Sequence, residues 1–212
     1  MSQTASFEQN DKTANILNAA KTVFLARGFS AATTDMIQRE AGVSKATMYA
    51  CFPNKEAMFA AVIERECAVM ARAVQSIQAA PGNIAKTLSE IGTSYLQIIL
   101  SPTALALFRV VTAEAPRSPD LGRRFYLAGP KVVTSMVAVR LTESVRAGEI
   151  NIQSVGVDTA ASLFISLVRG EGLMECLTHP NAQPSAAQID HWVQLAVTTF
   201  VSAFGLTVSG KD

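Results

Sequence analysis

Residues 33–52 read TTDMIQREAGVSKATMYACF, and the order of residue types in this stretch decides the fold. Thr33 or Thr34 suits the N-cap of a short helix, because a β-hydroxyl accepts from a backbone N–H that the first turn leaves without a partner. Met36, Ile37 and Ala41 give that helix an apolar side. Gly42 is suited to end it in the left-handed conformation, and Ser44 to cap a second short helix. Ile37, Val43, Met48 and Phe52 fall where they pack the two helices together, leaving Ser44, Lys45, Thr47 and Tyr49 outward. Two short amphipathic helices, a tight glycine turn and a polar outer face on the second helix are the layout of a helix-turn-helix, whose second helix enters a major groove.

Outward from this core, the same punctuation continues. A first helix is predicted from near Asp11, with Ile16, Leu17, Ala20, Val23 and Phe24 on one face and its end at Arg27-Gly28. Pro53 closes the third helix, and Asn54 caps a long fourth one through Met58, Phe59, Val62, Ile63, Cys67 and Met70, ended by Pro81-Gly82. Ser101-Pro102 and Ser118-Pro119 each place a capping hydroxyl before a proline at the first helical position. Gly148 ends the segment that begins at Pro119, with a kink expected at Pro130. Ser185 and Gln188 form a capping box ahead of Ile189, Trp192, Leu195, Ala196 and Phe200. Period-two alternation and hairpin dipeptides such as Asn-Gly are missing, so the expectation is an all-α fold of about nine helices. Residues 1–55 would form the helix-turn-helix domain, helix four from 54 would link, and 56–212 would form a larger helical domain.

Residues 13–63 resemble the DNA-binding domain of TetR/AcrR-family transcriptional regulators, in GFSAATTDMI (28–37), AGVSKATMYACF (41–52) and NKEAMF (54–59). The resemblance implies that Ser44, Lys45, Ala46 and Thr47 lie at groove-facing positions, and that Thr33, Thr34, Tyr49 and Lys55 contact phosphates. The chemistry agrees, since hydroxyls and an ammonium donate to phosphate oxygens while a few side chains read base edges. Lys45 is the best single candidate for a guanine contact. The sequence departs from the family pattern at Gln38, where alanine is usual, at Ala46, where glycine is common, and at Cys51, where histidine is frequent. The departures bear on the angle between the helices and on base preference.

Composition limits the partners. The 212 residues are 49% hydrophobic and 17% charged, with a net charge of +1, which suits a folded chain rather than a disordered one. It also excludes coating of nucleic acid or lipid by bulk attraction. Residues 1–55 hold six Lys and Arg and four Asp and Glu, a balance of +2, so sequence recognition is expected to need two copies. No run is long and apolar enough for a membrane span. Residues 1–15 lack the basic start and apolar run of a secretory signal. Cys51, Cys67 and Cys176 are few and scattered. A cytoplasmic protein is expected.

The C-terminal half, in VVTAEAPRSPDLGRRFYLAGPKVV (110–133), resembles the C-terminal domain of the AefR-like subgroup, which includes regulators of drug-efflux genes. The resemblance implies a small-molecule effector and a homodimer. The kink at Pro130 would open an apolar cavity lined by Met70, Tyr95, Ile99, Phe108, Phe125, Val133, Met136 and Val137, with Arg109 or Glu114 as polar anchors. Each of these residues has core packing as its ordinary alternative. Leu163, Phe164, Leu167 and Val168 form one stripe and Trp192, Leu195, Ala196, Thr199 and Phe200 another, so two copies would meet in a four-helix bundle about a two-fold axis.

Catalytic motifs such as G-x-S-x-G, H-E-x-x-H or a Gly-rich phosphate loop do not occur, and His179 and His191 lack spaced partners for a metal site. The expected function is therefore a non-enzymatic, cofactor-free repressor on a palindromic DNA operator, released by an apolar or amphipathic inducer. Its rivals are a redox-responsive DNA binder using Cys51 and a helical ligand-binding protein with an incidental helix-turn-helix.

Overall fold

The computed structural model describes residues 2–77 and 82–206, and among them the chain forms helices and no sheet. In chain order these are α1 (Ser2–Ala31), α2 (Thr34–Ala41), α3 (Lys45–Cys51), α4 (Lys55–Gln75), α5 (Ile84–Ile99), α6 (Pro102–Glu114), α7 (Pro119–Ala128), α8 (Pro130–Arg146), α9 (Val157–Thr178) and α10 (Ala186–Phe204). The fold is all-α as expected, with ten helices among the described residues rather than about nine.

The extra helix comes from the segment after Pro119. It does not kink at Pro130 but breaks, with Gly129 at φ −112 and ψ −86 and Pro130 in the first turn of α8. A residue before proline is disfavoured in the α region, and proline at a first helical position gives up an N–H that had no intrahelical partner anyway. A new start is therefore less costly than a bend. α1 begins at Ser2, well ahead of Asp11, and Gly28 interrupts it with φ 76 and ψ 165 where the sequence had placed its end. α4 ends at Gln75, and Pro81 lies outside the described residues. Several of the expected caps are present: Asn54 Oδ1 accepts from Ala57 N at 2.7 Å, Ser101 Oγ from Ala104 N at 3.3 Å, and Ser185 with Gln188 closes a full capping box on α10.

The chain packs into two compact units, the described residues of Met1–Ala68 with Ala106–Ala128 and those of Val69–Leu105 with Gly129–Asp212. Packing thus does not follow the consecutive division 1–55 and 56–212, because α4 divides after Ala68 and the segment 106–128 joins the N-terminal helices. In the first unit Ile16, Phe24, Ile37, Met48, Met58, Phe59, Val62 and Ile63 are wholly buried. Its centre is an aromatic triad in which Phe59 lies 4.9 Å from Phe24 and 5.1 Å from Phe29 between ring centroids. Each such side chain contributes about 1.5–3 kcal/mol on burial.

In the second unit α10 packs on both α5 and α9, and α9 packs on α8. Leu88, Leu96, Val137, Leu141, Phe164, Val193 and Phe200 form its centre. Gly172 is required there: a Cβ on it would stand 2.7 Å from the Trp192 ring, so the backbone of α9 is the floor on which the indole rests.

Candidate nucleic-acid interface

The turn between α2 and α3 is held from several sides. Thr33 caps α2 by accepting from Met36 N at 3.2 Å. Gly42 takes φ 63 and returns its N–H to the Arg39 carbonyl, a conformation glycine adopts without steric cost. Ser44 caps α3 by accepting from Thr47 N at 3.1 Å, and the two hydroxyls share a 2.9 Å hydrogen bond. Gln38, the departure from alanine, donates from Nε2 to the Val43 carbonyl at 2.7 Å. The larger side chain braces the turn instead of wedging the helices apart. Asn15 of α1 donates to the Ala41 carbonyl at 2.7 Å and so ties the end of α2 to the first helix.

Ile37 and Met48 are fully buried and Phe52 nearly so. This leaves Ser44, Lys45, Ala46 and Tyr49 exposed and Thr47 half-exposed on the outer face of α3. Thr33 is exposed, and Thr34, half-exposed, shares a 3.2 Å hydrogen bond with the Tyr49 hydroxyl. Lys45 Nζ lies 2.8 Å from Asp35 Oδ1 of α2. The hydrogen bond and charge of Lys45 hold the Asp35 carboxyl below its ordinary range, and Asp35 in turn raises the ammonium of Lys45. Asp35 is the residue of this surface that the sequence reading passed over. Its signal was an acid in the first turn of α2, where it also complements the helix dipole.

Lys55 differs most from expectation. Its ammonium donates to the carbonyls of Phe29 and Ala32 at 3.0 and 3.1 Å and sits 4.4 Å above the Phe29 ring. It fastens the turn after Gly28, with one N–H left over, rather than standing free for a phosphate. Nearby, Lys21 bonds the buried Glu66 at 2.8 Å, which locks α1 to α4. Cys51 is half-buried and accepts from Thr13 Oγ1 at 3.6 Å.

The residues expected around a cavity divide between the units. Tyr95, Val133 and Val137 are buried in the core of the second unit, with Ile99 and Met136 packed on it and Met70 half-buried. Burial pushes the Tyr95 hydroxyl above its usual pKa, partly offset by Arg169. Phe108, Arg109 and Phe125 belong to the first unit, where the two rings meet edge to face at 5.9 Å. Glu114, offered as an anchor, is buried and accepts from Ser30 Oγ at 3.0 Å.

The expected dimer stripes are narrower than the sequence suggests. Phe164, Val168, Ala196 and Phe200 are sealed in the core of their own unit, with Phe164 and Phe200 edge to face at 5.5 Å. The side chains that stay outside are Leu163, Leu167, Leu195 and Thr199, with Trp192 half-buried. Leu167, Trp192, Leu195 and Thr199 border a shallow groove of about 280 Å³ between α9 and α10. α9 and α10 satisfy α5 and each other first, and only what remains can meet a second copy.

Residues 16–62 match the family model of bacterial regulatory proteins, tetR family, and residues 86–206 that of the AefR-like transcriptional repressor, C-terminal domain. Among solved structures, the flavonoid-responsive regulator FrrA is similar at 31% identity and a TM-score of 0.80, over 94% of this chain and 100% of that one. A TetR-family transcriptional regulator from Mesorhizobium loti is 22% identical with a TM-score of 0.86, over 93% and 98% of the two chains. Another from Pseudomonas syringae pv. tomato is 22% identical with a TM-score of 0.74, over 91% and 96%. The last two likenesses show the fold. No curated protein sequence matches the chain.

Proposed function

The chain belongs to the TetR family of bacterial regulatory proteins, and we propose that it represses from a palindromic operator and lets go when a small amphipathic aromatic molecule occupies its C-terminal domain. It is a DNA-binding transcriptional regulator and not an enzyme. Regulators of this family bind DNA operators and small-molecule effectors and act as dimers.

The observation that carries the proposal is the outer face of α3. Ser44, Lys45, Thr47 and Tyr49 project from a helix whose other side is buried in Ile37, Met48 and Phe52. Hydroxyls and one ammonium on a short exposed helix suit base edges and phosphates, and little else. A two-fold dimer through Leu163, Leu167, Leu195 and Thr199 supplies two such helices for successive major grooves, about 34–36 Å apart. Thr33, Thr34 and Tyr49 take phosphates, Ser44, Lys45, Ala46 and Thr47 face the bases, and Lys55 holds the frame while its remaining N–H reaches the backbone.

For the effector, the likeness to a flavonoid-responsive regulator favours a flat, polyphenolic ligand, and Met70, Tyr95, Ile99, Val133, Met136 and Val137 of the second unit supply apolar and aromatic groups suited to one. The controlled genes would export such compounds. Release requires only that the ligand prefer one of two conformations, and a coupling of about 1–3 kcal/mol gives useful switching. The protein would act in the cytoplasm; among the described residues no single helix is long and apolar enough to cross a membrane.

Fluorescence anisotropy on labelled DNA flanking the gene, with and without saturating flavonoid, tests this reading. The expected result is specific binding that weakens 5-fold to 150-fold with ligand, the range of that coupling. Equal affinity for every aromatic compound that binds would contradict it.

A further inference from the structure

We propose that Asp35 sets the sequence specificity of this regulator by occupying the Lys45 ammonium until a correct base edge replaces it. The inference rests on the DNA-binding reading above and deepens it. Asp35 reads no base in this account and acts through Lys45, as a positioning residue.

The geometry is specific. Asp35 stands in the first turn of α2 and Lys45 is the first residue of α3, so the 2.8 Å contact spans the turn of the motif. Around the pair, the side chains with groove-facing or phosphate roles are also mutually bonded: Thr34 with Tyr49, and Ser44 with Thr47. Arg39, one helical turn after Asp35, is the other cation acting on both members of the pair.

Lysine on this surface has two uses. Its flexible ammonium meets phosphate oxygens on any sequence, which supplies non-specific affinity, or it donates to guanine O6 and N7. A carboxylate beside it penalises the first use. Leaving Asp35 for a phosphate exchanges one anionic oxygen for another and brings the abandoned carboxylate close to the DNA backbone. Leaving it for a guanine edge exposes the same carboxylate but gains two directed acceptors, O6 and N7, that a phosphate does not present in that geometry. Like-charge juxtaposition against the wrong partner is a general route to specificity.

Operator and scrambled duplexes are titrated with wild-type protein and with Asp35→Asn, Asp35→Glu, Lys45→Ala and Asp35→Asn/Lys45→Ala, across a range of salt. In Asp35→Asn the scrambled duplex is expected to bind about tenfold more tightly and with a salt slope steeper by about one, since one more phosphate is neutralised. The operator-to-scrambled ratio falls accordingly. Asp35→Glu retains a carboxylate and restores most of the ratio, and in the Lys45→Ala background Asp35→Asn no longer steepens the slope. Circular dichroism and melting of each variant show whether the fold is kept. A wild-type-like ratio and slope in folded Asp35→Asn, or the same effects with and without Lys45, would overturn this proposal while leaving the regulator reading intact. No operator preference in wild-type protein would overturn both.

Discussion

Cys67 shows how one buried side chain ties stability to pH. Its thiol lies on α4 in the apolar centre of the first unit, and burial, with a smaller contribution from the Glu66 carboxylate, pushes its pKa up to about 11. The unfolded chain loses that proton near pH 8.5, while the folded one keeps it until about pH 11. Between those values the folded state binds more protons, so stability is full below the unfolded pKa and falls as pH rises through the folded one. Urea midpoints should decline from pH 8.5 to 11 in wild type and less steeply in Cys67→Ala; parallel declines would refute the assignment. Gly172→Ala is a second test at this scale. Its methyl would stand 2.7 Å from the Trp192 ring and should destabilise by about 1–3 kcal/mol, as overpacking does, measurable by urea unfolding with tryptophan fluorescence.

At the scale of the element, what the sequence disclosed and what it hid have separate physical causes. Caps were legible at Thr33, Ser44, Asn54, Ser101 and Ser185 because a side-chain oxygen and a backbone N–H two or three residues away lie within one local stretch. The burial of Ile37, Met48 and Phe52 was legible for the same reason. The break at Gly129 was read as a bend, since the proline pattern alone does not show whether a helix kinks or starts anew. The outer stripe of α9 is narrower than expected because apolar residues stand at 163, 164, 165, 167 and 168. Which of them face inward depends on α5 and α10, distant in sequence. Asp35 and Lys55 depended on contacts made across the turn and the first helix. An element-scale prediction follows from the capping box on α10: Ser185→Ala should cost about 1 kcal/mol, read as a lowered urea midpoint with an unchanged slope.

At the scale of the whole molecule, the proposed dimer rests on the exposed leucines. Leu163 and Leu195 are 42% and 60% exposed and lie on helices whose inner faces are already satisfied. Leu163→Glu/Leu195→Glu places like charges across a two-fold interface and should convert a dimer to monomer in sedimentation velocity without lowering helix content. An unchanged sedimentation coefficient would move the interface elsewhere. Loss of the dimer should also abolish operator binding, because one weakly basic reader cannot span two half-sites.

Footprinting of the DNA flanking the gene, with wild-type protein, Lys45→Ala and Tyr49→Phe compared side by side, shows whether the outer face of α3 holds an operator. Two inverted half-sites about one helical turn apart are expected to be protected, with protection weakened in Tyr49→Phe and lost in Lys45→Ala while both variants remain helical. Protection by wild-type protein that both variants reproduce, or no protection at all, would contradict that expectation.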